Sequence, residues 1–241
     1  MKRILRSTST LCLLLALAAC SSTGQPGPDS AVTTPAESDP TEADATTAAA
    51  QSRAGDLLAE GDRLQALGRC REALPRYGMA ALEAGPKRGQ ALAATYLCHW
   101  QLQRPKTAEE SFTLFLRHEL DQGRLPLRLL FQPGETRYLA DARISAPYGM
   151  WLRRIADATL ASRSCLTLHG HAGPSAVEQY PAELPLRRAQ AVQRQLETLA
   201  PALKDRIKSV AAAPDEPAVG SASDDLRDAL DRRVEFAPHP C

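Results

Sequence analysis

Near Leu125 the spacing of apolar residues changes, and that change limits the fold more than any other feature of the chain. From Ala54 to about Gly123 apolar residues recur at helical intervals, with breaks near Gly68, Gly85-Pro86 and Pro105. Leu57, Leu58, Leu64 and Leu67 mark one helix, and Leu74, Tyr77 and Leu82 mark a second. Beyond the change, Leu125, Leu127, Leu129 and Phe131 alternate, as expected of a strand with one buried face. Ser145-Ala-Pro147 then opens a helix, with Ser145 as its cap and Pro147 in its first turn. The stripe of that helix is Leu152, Ile155, Ala156 and Thr159. Cys165 to Gly170 alternates again and places Leu166 and Leu168 on one face. A long helix beginning near Leu186 carries Ala189, Val192, Leu196 and Leu199. Ile207 to Ala212 reads as a weaker strand, and Arg233 to Phe236 as a short last one. The chain is therefore predicted to be α+β: a helical part, then a sandwich whose sheet carries helices on one face.

The N-terminus bears on the compartment. Lys2, Arg3 and Arg6 precede the apolar run Leu11 to Ala19, which is too short to cross a bilayer as a mature helix and reads as a signal peptide over residues 1–19. Leu17-Ala-Ala-Cys20 resembles the lipobox of bacterial lipoproteins, in which the cysteine is acylated and becomes the first residue. The plainer alternative is an ordinary signal peptide with a chance cysteine. Ser21 after Cys20 implies, through the same resemblance, sorting to the outer membrane with the folded part facing the periplasm. From Ser21 to Ser52 the chain is rich in Ser, Thr, Pro, Ala and acid, and has no aromatic or basic residue. Such a composition buries no core, so residues 20–52 read as a lipidated cysteine and a disordered tether with a reach of roughly 30 Å.

Charge and cysteines narrow the function further. Without Lys2, Arg3 and Arg6, the 29 basic residues fall to 26, against 28 acidic ones. No basic stripe with interleaved aromatics stands out, which argues against nucleic acid as a partner. Cys12 leaves with the signal and Cys20 carries lipid, leaving Cys70, Cys98, Cys165 and Cys241. Four cysteines in an oxidising compartment suggest two disulfides, with three possible pairings. None has the spacing of a zinc or thioredoxin-like pair.

Within residues 53–123, Gly61, Leu64, Gly68, Ala73, Tyr77, Ala80 and Pro86 resemble a tetratricopeptide repeat, followed by a more degenerate helix pair with Tyr96, Ala108, Phe112 and Phe115. The resemblance implies either a groove for a protein partner or a bundle packed against the next segment. Pro75 departs from the pattern and is expected in the first turn of its helix.

Residues 124–241 carry the more specific likeness. Gly170-His-Ala, Tyr180, Leu184, Arg188-Ala189, Val192 and Asp231-Arg-Arg-Val-Glu-Phe236 resemble the OmpA-like C-terminal domain, in order and at matching spacings. The resemblance implies an α/β sandwich with a mixed sheet that binds the diaminopimelate stem of peptidoglycan without covalent chemistry. It assigns Arg188 to a ligand carboxylate, through two parallel N–H bonds. His171, Tyr180, Asp231 and Arg232 complete the implied ligand-binding set. At the position of the family's aspartate, which meets the ligand's ammonium group, this chain has Gly173. Pro181 and Asp231 also stand where asparagines are common. Losing one charge-assisted bond weakens binding by roughly ten- to a hundredfold. Glu178, Glu183, Asp224 or Asp225 are candidates to approach the same spot. The alternative for Arg188 is a structural ion pair with Asp231 or a neighbouring acid, while Arg187 reads as a solvated charge. The same fold runs its last strand antiparallel to its neighbours, which implies the pairing Cys165–Cys241 and leaves Cys70–Cys98 on successive helix pairs.

His169 and His171 share a strand face, so both imidazoles could meet one metal, yet His171 matches a histidine common in the family and no third ligand lies nearby. No metal and no cofactor is expected. No nucleophile elbow, phosphate loop or dinucleotide fingerprint is present, so the chain is not expected to be an enzyme. Two readings remain: an outer-membrane lipoprotein that associates with peptidoglycan, or an envelope interaction scaffold whose OmpA-like domain no longer binds the wall.

Overall fold

A computed structural model describes residues 42–83, 85–173, 182–212 and 227–241. Four helices come first: α1 (Glu42–Ala66), α2 (Cys70–Leu82), α3 (Arg88–Gln101) and α4 (Pro105–Asp121). Their breaks fall where the spacing predicts, and Gly68 takes the left-handed conformation that lets the chain leave α1. Helix α1 begins at Glu42, inside the segment expected to be a disordered tether, because the Ala-rich run there favours helix without needing burial. Pro75 lies inside α2, past the first turn. Its missing N–H leaves the Arg71 carbonyl without a helical partner.

Consecutive helices pack pairwise, and α4 continues onto the next segment. Leu58, Leu64, Tyr77, Ala80, Ala91 and Ala94 form one core beside the Cys70–Cys98 disulfide, whose Cα atoms are 5.1 Å apart. A methyl group at Gly61 would run into the Tyr77 ring, so glycine sets the close approach of α1 and α2. Tyr96 of α3 and Phe112 and Leu116 of α4 belong to a second core, shared with the sheet. Trp151 ties the two parts: its Nε1 donates to the Tyr96 hydroxyl at 2.8 Å, and its ring stacks on Phe112 at 5.6 Å. The described residues form one compact unit.

Besides 3-10 turns at Pro201–Arg206 and Asp228–Leu230, the remaining elements are β1 (Arg128–Leu130), α5 (Ala142–Ser145), α6 (Tyr148–Ser162), β2 (Ser164–Gly170), α7 (Leu184–Leu199), β3 (Ile207–Ala211) and β4 (Arg233–Pro240). The sheet order is β1-β4-β2-β3. Strand β4 runs antiparallel to both neighbours, and β2 is parallel to β3, joined through α7 as a parallel pair requires. The fold is thus mixed, with Leu166, Leu168, Val234 and Phe236 facing a core filled by Ile155, Val192 and Leu196. Leu166, Leu168, Ile155, Val192 and Leu196 were legible from their periods.

Three details differ from the spacing. Strand β1 pairs over three residues, although Leu125, Leu129 and Phe131 are all buried. Ser145 closes α5 instead of capping α6; Asp141 caps α5 by accepting from the Arg143 N–H at 2.9 Å, and Pro147 sits at the N-cap of α6. Leu199 is 45% exposed because α7 ends there, beyond the sheet it covers.

Antiparallel pairing places Ser164 opposite Pro240, so Cys165 and Cys241 meet with Cα atoms 5.0 Å apart. Both disulfides are the pairs expected, Cys165–Cys241 from the strand order the resemblance implied and Cys70–Cys98 from the successive helix pairs. No helix among the described residues is long and apolar enough to cross a membrane.

Candidate functional site

Strand β2 ends at Gly170, opposite Val234 of β4. A Cβ on Gly170 would overlap the Pro185 carbonyl oxygen. Only glycine lets the first turn of α7 rest on the end of the strand, and this contact brings Arg188 beside His171.

Arg188 is fully buried. Its guanidinium donates to three backbone carbonyls: Nε to Glu135 at 2.9 Å, Nη1 to His171 at 3.0 Å and Nη2 to Gln132 at 2.9 Å. The same group lies over the Phe131 ring, 5.6 Å from its centre. A planar five-donor fork suits this task, because one side chain reaches acceptors from the β1–α5 connection and from the end of β2.

The segment before β4 closes the other side. Asp228, Asp231 and Arg232 are buried there. The Phe131 N–H donates to the Arg232 carbonyl at 2.8 Å, and Arg232 Nε donates to the Phe131 carbonyl at 3.4 Å. The His171 N–H donates to the Arg233 carbonyl at 2.8 Å, so the motif after β2 continues the ladder with β4.

Glu235 gathers the charges on the adjoining strands. Arg233 Nε reaches it at 2.7 Å, Arg128 Nε at 2.8 Å and His171 Nε2 at 3.8 Å. Burial pushes the Glu235 carboxyl up, but the Arg233 hydrogen bond and the charges of Arg233, Arg128 and His171 outweigh it and hold the group below the usual carboxylate range. A depressed folded-state pKa gives stability that is complete above the unfolded value and is lost as pH falls through the folded one. Replacing Glu235 by Gln is therefore expected to flatten the fall in melting temperature between about pH 5 and pH 3. Melting curves across that window check this, and an unchanged slope refutes it.

The structure thus brings Arg188 and Arg232 to Phe131 and His171 to Arg188, with Asp231 in the same segment as Arg232. Gly173 is buried at the end of the motif. Tyr180 lies outside the described residues, as do Glu178, Pro181, Asp224 and Asp225. Arg187 and Glu183 are exposed at the head of α7. Among the described residues, no three His, Cys, Asp or Glu side chains cluster as metal ligands would. Sequence reasoning missed the carbonyls of Gln132 and Glu135, which carry no residue-type signal. It also missed Glu235 as a hub, although the alternation of β4 puts Arg233 and Glu235 on one face.

No family profile matches the chain, and no curated protein matches it. Among solved structures, the peptidoglycan-associated lipoprotein from Burkholderia pseudomallei is similar at 18% identity and a TM-score of 0.37, covering 46% of this chain and 89% of that one. The periplasmic domain of MotB from Helicobacter pylori is similar in two forms. One has 16% identity, a TM-score of 0.36 and coverage of 46% of this chain and 68% of that one. The other has 16% identity, a TM-score of 0.34 and coverage of 46% and 70%.

Proposed function

We propose that this chain is an outer-membrane lipoprotein, anchored through Cys20 and facing the periplasm, that associates non-covalently with peptidoglycan through a degenerate OmpA-like domain. The observation that carries the reading is the convergence of three motif segments, far apart in sequence, in which Arg188 binds the carbonyl of His171 and shares Phe131 with Arg232. The two disulfides fit an oxidising compartment. The protein binds and does not catalyse, and the helical part is a spacer or a docking surface for a protein partner.

Lipid is the anchor in this reading, since acyl chains on one cysteine bury enough CH₂ groups to hold the chain to a bilayer. Replacing Cys20 by Ser is expected to move the protein from the membrane fraction to the soluble one. Unchanged partition would exclude lipidation.

A second reading, a scaffold that no longer binds the wall, is favoured by Gly173 and by the complete burial of Arg188. Substituting Gly173→Asp separates the two. A restored carboxylate opposite the ligand's ammonium is expected to raise cosedimentation with diaminopimelate-containing sacculi about tenfold over a measurable wild-type level. Binding by the variant with none by the wild type would support the scaffold. No gain would remove Gly173 from the ligand's path.

A further inference from the structure

A groove of about 520 Å³ opens between the β1–α5 connection and α7, beginning at Leu184 and flanked by Arg137, Arg187 and Arg194. It continues into a second groove of about 580 Å³ between α6 and α7, sharing Thr136 and Arg194 and adding Arg153. Residues 187 and 194 are two helical turns apart, so their side chains rise from one face of α7. Four guanidinium groups thus border one trough, and Glu135 is the single acid among its described lining residues. Glu135 is committed to Arg137 through two hydrogen bonds. Arg153, Arg187 and Arg194 are exposed and pair with no acid among the described residues.

Glu183 and Glu197, four residues before Arg187 and three after Arg194, make no ion pair with them, so the trough presents a local excess of positive charge to an anion. The trough also adjoins the candidate site, because the Glu135 carbonyl that borders it accepts from Arg188. We propose that the arginine trough along α7 is a second binding subsite, which takes the carboxylates of peptidoglycan stem peptides. A planar fork receives a carboxylate bidentately, and carboxylates spaced along a stem match cations spaced along a helix. The proposal rests on the wall-binding reading and adds to it a polyanion contact remote from the Gly173 position.

The test compares the full-length chain, in mild detergent, with the double variant Arg187→Glu/Arg194→Glu, whose exposed positions leave the core untouched. Wild-type pelleting with sacculi is expected to fall about tenfold in the variant and to weaken with salt. Sacculi whose carboxylates have been amidated are expected to bind the two proteins equally. Poly-L-glutamate, followed by fluorescence anisotropy, probes the trough alone. If wild type ignores sacculi but binds poly-L-glutamate and the variant does not, the wall reading fails while the anion subsite stands. Equal poly-L-glutamate binding by both proteins, or none by either, overturns the subsite. Loss of binding to phosphatidylglycerol vesicles in the variant, with sacculus binding unchanged, assigns the trough to a membrane surface and also overturns it.

Discussion

Arg188→Ala is expected to destabilise the folded chain by about 4 kcal/mol, with a melting temperature lower by roughly 10 °C. The guanidinium is fully buried and bridges carbonyls of Gln132, Glu135 and His171. Removing it takes a charged donor from each of those acceptors, at a cost of about 1–3 kcal/mol each before relaxation. It also leaves a cavity over Phe131. The losses are not additive, because the released connection around Gln132 and Glu135 can move toward solvent. Arg188→Lys is expected to fall between the two, since one ammonium has three donors but lacks the planar span. The motif resemblance alone assigns this residue to ligand and leaves the fold independent of it. Calorimetry of the two variants decides: a shift within about 2 °C for alanine would show that the three carbonyl bonds contribute little.

Loss of the Cys165–Cys241 bridge is expected to cost about 4 kcal/mol, more than loss of Cys70–Cys98. The first closes a sequence separation of 76 residues and the second one of 28. Cross-linking removes more disorder from an unfolded chain when the loop is longer, by about 0.9 kcal/mol between these two. Cys165 also fastens the end of β4, whose last residues His239 and Pro240 are exposed and pair only with β2. Melting of the doubly substituted Cys165→Ala/Cys241→Ala and Cys70→Ala/Cys98→Ala chains should therefore rank in that order. The reverse ranking would mean that helix packing at Cys70 and Cys98 dominates over loop length.

The core was legible because each of its faces has a period. Leu166 and Leu168 alternate, Ile155 and Val192 recur at helical spacing, and all four are buried. Strand polarity then made the Cys165–Cys241 pair legible too. What the periods could not reveal was what the backbone does. Any residue type at positions 132 and 135 offers the same carbonyl, so the partners of Arg188 left no mark in the sequence. Ser145 resembled a cap because its chemistry is right, yet Asp141 ends up capping a short helix just before it. The extent of β1 depended on its pairing with Arg233 to Glu235, near the other end of the chain, and apolar alternation reports burial at Leu125 without reporting pairing. Gly170 stood out in the motif, but only the position of Pro185 explains why no side chain fits there.

The proposed function requires this fold to touch the wall. Cosedimentation of the full-length chain, in mild detergent, with insoluble diaminopimelate-containing sacculi tests it most directly. Saturable pelleting that a soluble diaminopimelate stem peptide competes away is the expected result. Folded protein that stays in the supernatant at every sacculus concentration would contradict it.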